Sequence, residues 1–393
     1  MVRMASLIIR PRARIFHGHD WVYQTEIERT IGDPEPGSVV TLKDRRQRPL
    51  GTAIYNPQSV ICARRISRRR ESLDLDFFAR RLRRARNLRE SLGIDLSLCR
   101  LVWCEADGLP GVVVDLYGSH AVIQTNTLAM DLARETISRA LVAEIGVETV
   151  IERNDSPSRK SEGLPMRSGL LVGSDPGPVA IRPGGIEYHL NLLDGQKTGF
   201  YLDQVDNFEA VANLAKGARV LDCFCNQGGF ALACAKAGAA SVHGIDISTE
   251  AIEAARANAT RNGLQATFEV ANAFDTLRTL ADSGEQPYDL IILDPPPFAR
   301  ARKNANEALR GYKEIHLRAL KILAPGGILA TYCCSHHITA EEYLAMAVDA
   351  AVDAKKTLRL AARHSQRADH PILPSIPETE YLKGFLFQSI AAW

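Results

Sequence analysis

From about residue 191 the chain alternates β-rich runs with helical periods, and this pattern constrains the fold more than any other feature. Strands are predicted at 219–223, 241–245, 267–270, 290–293 and 327–332, with helices at 229–238, 249–262 and 308–323 between them. Regular strand–helix alternation folds into a parallel, doubly wound sheet, and such sheets take ligands beyond the carboxyl ends of their strands. Strand ends 222–224, 245–247, 272 and 294 are therefore where chemistry is expected.

The first strand runs Arg219-Val220-Leu221-Asp222-Cys223-Phe224-Cys225 into Asn226-Gln227-Gly228-Gly229-Phe230. Glycines there let a backbone approach a ligand, and the following helix N-terminus favours an anionic group. A tight turn without ligand would use the same residues. The second strand ends at Asp246, about twenty residues on, where an acid can accept from both hydroxyls of a ribose. Asp246 could instead cap the helix near Thr249. Together the two features point to a nucleoside-containing cofactor. The fourth strand ends in Asp294-Pro295-Pro296-Pro297-Phe298, a stiff loop held extended by prolines, either for substrate contact or merely for structure.

The rest of the chain differs in charge. Residues 1–100 hold 21 Lys+Arg against 11 Asp+Glu, a balance of +10, and the remainder stands at −8. All but one of those cations are arginine, whose planar fork suits phosphate and stacked bases. The bias suggests a polyanion-binding module joined to an enzyme, the alternative being a solvated charged face. Short strands at 39–42 and 60–63, punctuated by Pro and Gly, suggest a small β-barrel closed by Arg64, Arg65, Arg68, Arg69 and Arg70. A helix follows at 74–92, with Leu75, Phe78, Leu82, Ala85 and Leu88 as its apolar stripe. Residues 100–190 read as a mixed α/β region with strands at 111–115, 121–124 and 149–151, a helix at 130–144 and a polar loop carrying Arg159 and Lys160. The expected division is residues 1–72, 73–190 and 191–393. At 46% hydrophobic and 24% charged the composition is ordinary for a globular chain. No run of eighteen apolar residues and no apolar signal core occurs, so no membrane span and a cytoplasmic location are expected. The eight cysteines form no CxxC pair, so neither zinc nor disulfides are expected.

The series LDCFCNQGGF, HGIDIS and LDPPPF resembles class I S-adenosylmethionine-dependent methyltransferases. More narrowly, GHDWVY at 18–23, EADGLPG at 105–111, GQKTGFYLDQ at 195–204, RGYK at 310–313, ADHP at 368–371 and YLKGF at 381–385 resemble the bacterial large-subunit (23S) ribosomal RNA cytosine-C5 methyltransferase family. The resemblance implies a PUA-like RNA-binding domain at the N-terminus, a middle α/β domain and a Rossmann-like catalytic domain. It implies that Asp222 and the backbone of Phe224, Asn226, Gly228, Gly229 and Phe230 hold the methionine end of the cofactor. Asp246 would bind the ribose, Ile247 the adenine face, and Asn272 with Ala273 the adenine edge. Phe200 and Asp294 complete the cofactor site. Lys197, Pro295, Pro296 and Phe298, with Arg64 and Arg65, would meet the RNA. Asn272 stands where the family usually has Asp, and Asn226-Gln227 where it has Tyr-Thr.

Cytosine C5 becomes nucleophilic only after a thiolate adds to C6, so the reaction needs a cysteine in the crevice. The family motif maps onto Cys334-Ser335 at the end of the fifth strand, and alternation turns Cys333 to the opposite face. Cys334 is thus the expected nucleophile, and Asp294 the expected stabiliser of the base. Cys223, Cys225 and Cys234 are expected to pack, and His336 and His337 receive no role. Two alternatives stay open: guanine-N7 methylation, which needs no thiol, and a non-catalytic RNA-binding protein. A homodimer is also left open.

Overall fold

The computed structural model describes residues 5–193, 199–284, 287–299 and 302–390. The chain forms two compact units. The first comprises residues 1–181, 189–202 and 368–379; the second comprises 182–188, 203–367 and 380–393.

The first unit opens with β1 (Ser6–Ile9), β2 (Trp21–Val22), β3 (Ile27–Ile31), β4 (Val39–Lys43), β5 (Pro49–Tyr55) and β6 (Ala63–Ser67). They make one six-stranded sheet in the order β2-β6-β5-β4-β1-β3 around Leu7, Ile9, Val22, Val40, Leu42 and Ala53. The strand expected at 60–63 begins only at Ala63. Asn56 accepts from the Gln58 N–H through its side chain and from the Ser59 N–H through its carbonyl, so 56–59 is a turn and Val60 is exposed.

Helix α1 (Leu75–Ser91) is N-capped by Asp74, which accepts from the Phe77 N–H. Its buried face is Phe77, Phe78, Leu82, Ala85 and Arg89, whereas Leu75 and Leu88 are exposed. The expected stripe is therefore rotated, because Arg89 is the residue that turns inward. Its guanidinium pairs with both oxygens of Asp107 and donates to the carbonyls of Arg100 and Asp369. Beyond it lie β7 (Leu98–Trp103), β8 (Val112–Tyr117), β9 (His120–Thr125), α2 (Leu128–Leu132), α3 (Arg134–Ile145), β10 (Thr149–Asn154) and β11 (Arg167–Val172). These strands form a sheet in the order β11-β10-β9-β8-β7. The helix expected at 130–144 is thus two helices meeting at Ala133. Arg159, expected in a solvated loop, is fully buried and bonded to Asp131. β12 (Pro178–Ile181) and β13 (Tyr188–Asn191) form a small ribbon.

The second unit contains α4 (Val205–Ala212), β14 (Arg219–Cys223), α5 (Gly229–Lys236), β15 (Ser241–Asp246), α6 (Thr249–Asn262), β16 (Thr267–Val270), α7 (Ala273–Ser283), β17 (Tyr288–Leu293), α8 (Ala305–Ile322), β18 (Leu323–Cys333), α9 (Ala340–Asp353), β19 (Thr357–His364) and β20 (Lys383–Ile390). The seven strands lie in the order β16-β15-β14-β17-β18-β20-β19. β14 to β18 pair in parallel, and β20 is antiparallel to β18 and β19. The doubly wound sheet expected from alternation is present. Its strand order reverses between β14 and β17, which is the point where such sheets open a ligand crevice. The core on one face is built from Leu221, Ile291, Leu293, Leu329, Ile315, Leu320 and Phe385.

Candidate functional site

At the carboxyl end of β14 the backbone is strained. Phe224 and Asn226 both adopt positive φ, at 65° and 48°, and Gly228 follows at 87°. Non-glycine residues pay for that conformation, so the surrounding structure must hold it. Gly229 cannot be replaced cheaply, since a Cβ there would lie 2.5 Å from the Phe208 ring. The turn delivers the chain into α5, whose second peptide is fixed by Asp222: Oδ2 accepts from the Ala231 N–H at 2.9 Å. The other oxygen, Oδ1, is buried and has no hydrogen-bond partner among the described residues. Burial pushes the Asp222 carboxyl well above its ordinary range, and the charges of Asp294 and Asp246 push it further. An orphaned buried carboxylate oxygen at a strand end fits a cationic ligand group such as an amino acid's ammonium.

Asp246 ends β15. Its Oδ2 accepts from the Asn226 N–H at 2.9 Å and its Oδ1 from the Ser248 N–H at 3.0 Å. It is not the helix cap; Ser248 caps α6 by accepting from the Ala251 N–H. An ionised carboxylate has about four acceptor sites, so two stay available for a diol. Ile247 beside it is an apolar side chain that is 73% exposed. Asn272 is exposed and caps α7, its Oδ1 accepting from the Phe274 N–H at 2.9 Å. Ala273 is buried behind it. Phe230 packs between the rings of Phe208 and Tyr332, so only its backbone is placed to meet a ligand.

The loop after β17 leaves Pro295 buried and Pro296 exposed. Phe298 stacks on Tyr312 with centroids 4.4 Å apart, and its N–H donates to the Tyr312 hydroxyl at 3.3 Å. Asp294 is fixed from behind. Gln204 Nε2 donates to Asp294 Oδ2 at 3.0 Å, Asn207 Nδ2 donates to Gln204 Oε1 at 2.6 Å, and Asn207 also donates to the Ser365 carbonyl. The relay sets the Gln204 amide so that its NH₂ must face the carboxylate. Gln204 lies in the GFYLDQ run, but nothing in a single sequence links it to Asp294.

β18 ends in the two cysteines. Cys333 is fully buried, and burial raises its thiol above the ordinary range. Cys334 is partly exposed. Cys334 is therefore the more accessible member of the pair. Cys223, Cys225 and Cys234 are buried. Lys383, on β20, also reaches this end of the sheet, and no spacing in the sequence announces it.

In the first unit the Phe200 N–H donates to the Tyr117 hydroxyl, and Lys197 lies outside the described residues. The arginine cluster divides. Arg64 pairs with Glu105 and Glu162 beneath the Trp21 ring, and Arg65 pairs with Asp20; both are largely buried. Arg68, Arg69 and Arg84 are exposed. All three line a polar cleft of about 510 Å³ together with Arg65, Arg80 and Arg81.

Comparison with known proteins agrees with this architecture. A PUA-like domain family matches residues 10–68 and a methyltransferase domain family matches residues 214–373. A Streptococcus mutans chain described as a SAM-dependent methyltransferase superposes with a TM-score of 0.83 at 21% identity, covering 98% of this chain and 99% of its own. A second methyltransferase, solved with SAH, superposes equally well at 22% identity over the same shares. Ribosomal RNA large subunit methyltransferase I of Shewanella amazonensis is 40% identical over 375 residues, 94% of each chain. The protein of that name from Tolumonas auensis is 39% identical over 380 residues, 95% of this chain and 96% of its own. With that identity held over nearly its whole length, the chain belongs to the ribosomal RNA large subunit methyltransferase I family.

Proposed function

We propose that the protein is a cytoplasmic S-adenosylmethionine-dependent methyltransferase that converts a cytosine of large-subunit ribosomal RNA into 5-methylcytosine through a Cys334 adduct. The observation that carries this reading is the pairing of a partly exposed Cys334 with a buried Cys333 at the end of β18, the strand next to the one that carries Asp294. S-adenosylmethionine, when bound, supplies an electrophilic methyl group on a sulfonium. Asp222 Oδ1 would take its ammonium, with the strained 224–229 backbone along the methionine part. Asp246 would take the ribose hydroxyls, Ile247 the adenine face, and Asn272 and Ala273 the adenine edge.

The target base is flipped out of its stack into the crevice. Cys334 sulfur bonds to C6, and the C5=C6 electrons move toward C5 and the ring carbonyl, which makes C5 the nucleophile. Asp294, oriented by Gln204, stabilises N3 and the exocyclic amine of the adduct. After C5 has gained its methyl, a base removes the C5 proton. Its electron pair re-forms C5=C6 and expels the thiolate, so the enzyme returns unchanged. Pro295, Pro296 and Phe298 would wall the base. We assign residues 1–72 to RNA binding, 73–190 to a middle domain and 191–393 to catalysis. The exposed Arg68 and Arg69, with Arg84 at the start of the middle domain, are better placed for phosphates than Arg64 and Arg65, which are occupied by carboxylates.

RNA carrying 5-fluorocytosine at the target tests the mechanism, because fluorine cannot leave as the proton does. Wild type and Cys333→Ala should form a denaturation-resistant adduct, and Cys334→Ala should form none and lose methylation while still binding cofactor. Near-normal methylation by Cys334→Ala would remove the covalent mechanism and favour guanine-N7 chemistry. Loss of trapping in Cys333→Ala alone would move the nucleophile to Cys333.

A further inference from the structure

We propose that Lys383 is a positioning residue for Cys334: its ammonium clamps the Cys334–Ser335 turn and balances the negative charge of the attacking thiolate. The inference rests on Cys334 being the nucleophile. In the β18–β20 ladder Lys383 stands directly opposite Cys333. Its side chain continues past that pair, and Nζ donates to the Ser335 carbonyl at 2.6 Å. The Lys383 backbone is thus paired with Cys333 and its cation is tied to Ser335, the residues on either side of Cys334, at the point where β18 leaves the sheet. Ser335 is itself buried, and its hydroxyl donates to the Ala299 carbonyl, so the turn is held at two points.

The electrostatics agree with the geometry. Lys383 is partly buried, which pulls its ammonium below the usual range, while the charges of Cys333, Cys334 and Glu380 pull the other way. Its charge also lowers the Cys333 thiol, against burial and the Asp294 charge. The other groups facing this turn are Asp294 after β17, Tyr312 on α8, Glu380 ahead of β20, and His336, whose ring lies 5.8 Å from that of Tyr381. A partly buried cation acts on a thiolate far more strongly than one in water. The same cation has no proton to exchange with the base in this scheme; it holds and stabilises.

The pH dependence of Cys334 alkylation by iodoacetamide, followed on its own peptide by mass spectrometry, tests the assignment without requiring methylation. Lys383→Met should shift the midpoint upward, with alkylation at pH 7 slowed by about tenfold. Lys383→Arg should keep the wild-type profile, and Lys383→Gln gives a polar replacement should the methionine variant not fold. Catalysis should follow with a fall in kcat, with cofactor affinity unchanged. Identical alkylation profiles for wild type and the uncharged variants would overturn the proposal. So would an arginine variant that shifts as far as methionine, since a purely geometric clamp would do that. Because alkylation reports on Cys334 whatever its role, failure of the covalent reading shows separately, as methylation retained by Cys334→Ala.

Discussion

The carboxyl end of the methyltransferase sheet and the arginine-rich N-terminal part treat polar groups in opposite ways. At the sheet end, capacity is left over: Asp222 Oδ1 has no hydrogen-bond partner among the described residues, Phe224 and Asn226 hold left-handed backbone, and Ile247 is exposed. In the N-terminal part the charge excess is largely consumed internally. Arg64 meets Glu105 and Glu162, Arg65 meets Asp20, Arg80 meets Glu71 and Asp76, and Arg89 meets Asp107. Unspent polar capacity marks a site more sharply than a count of charges does, because a paired cation has already given its electrostatics to the fold.

The largest effect should come from breaking one of the internal pairs. Arg64→Ala leaves Glu105 and Glu162 buried and uncompensated, and removing one partner of a buried pair costs about 3–5 kcal/mol. Thermal unfolding should show that loss, while the salt dependence of RNA binding stays as in wild type. A normal melt with a flattened salt slope would place Arg64 on the RNA side of the comparison instead.

Asp222→Asn should separate binding from stability. Losing a charge-assisted partner for the cofactor ammonium should weaken binding by about tenfold to a hundredfold, at about 1.5–3 kcal/mol. Ligand-free protein should respond in the other direction. The folded carboxyl titrates above its unfolded value, so its favourable contribution is complete below the ordinary carboxylate range and is lost as pH rises through the elevated folded value. At neutral pH the ligand-free variant should therefore melt higher than wild type, and the gap should close as the pH is lowered. A variant that is less stable at neutral pH would mean that Asp222 is held by something other than an awaited cation.

A smaller change is expected from the exposed arginines. Replacing Arg68, Arg69 and Arg84 with alanine should lower the salt slope of single-stranded RNA binding by about 0.7 for each phosphate that is no longer neutralised. Cofactor affinity and melting should not move. An unaltered slope would make the cleft a solvated face.

What could be read from the sequence was whatever is encoded locally. The β14, β15 and β17 ends announce themselves because a strand, a turn and an acid lie within a few residues, and Cys334 is separated from Cys333 by simple alternation. Asp246 could be misread as a cap only until Ser248 was seen to do that work. Gln204 and Asn207 were not legible, since their link to Asp294 spans 90 residues of sequence. Lys383 was invisible for the same reason: antiparallel pairing with β18 places it, and no periodicity within 381–385 reports a register. Arg89 is one of six arginines of α1, and only the presence of Asp107 and Asp369 turns that one inward.

The smallest expected effect concerns Asn272, a sheet-end residue already partly engaged. Asn272 uses Oδ1 to cap α7, so an adenine amino group must share that oxygen. Asn and Asp cap about equally well, and a charge at a helix N-terminus adds about 0.3–1 kcal/mol. Asn272→Asp should therefore raise the melting temperature slightly whatever its role. If the residue also meets adenine, the charged oxygen should tighten S-adenosylhomocysteine by no more than about fivefold, roughly 1 kcal/mol. The control is the hypoxanthine analogue, which lacks the amino group and presents a carbonyl in its place. A gain confined to the adenine ligand assigns the contact to the amino group. An equal gain for both ligands, or none, leaves Asn272 as a helix cap and moves recognition of the adenine edge to the neighbouring backbone.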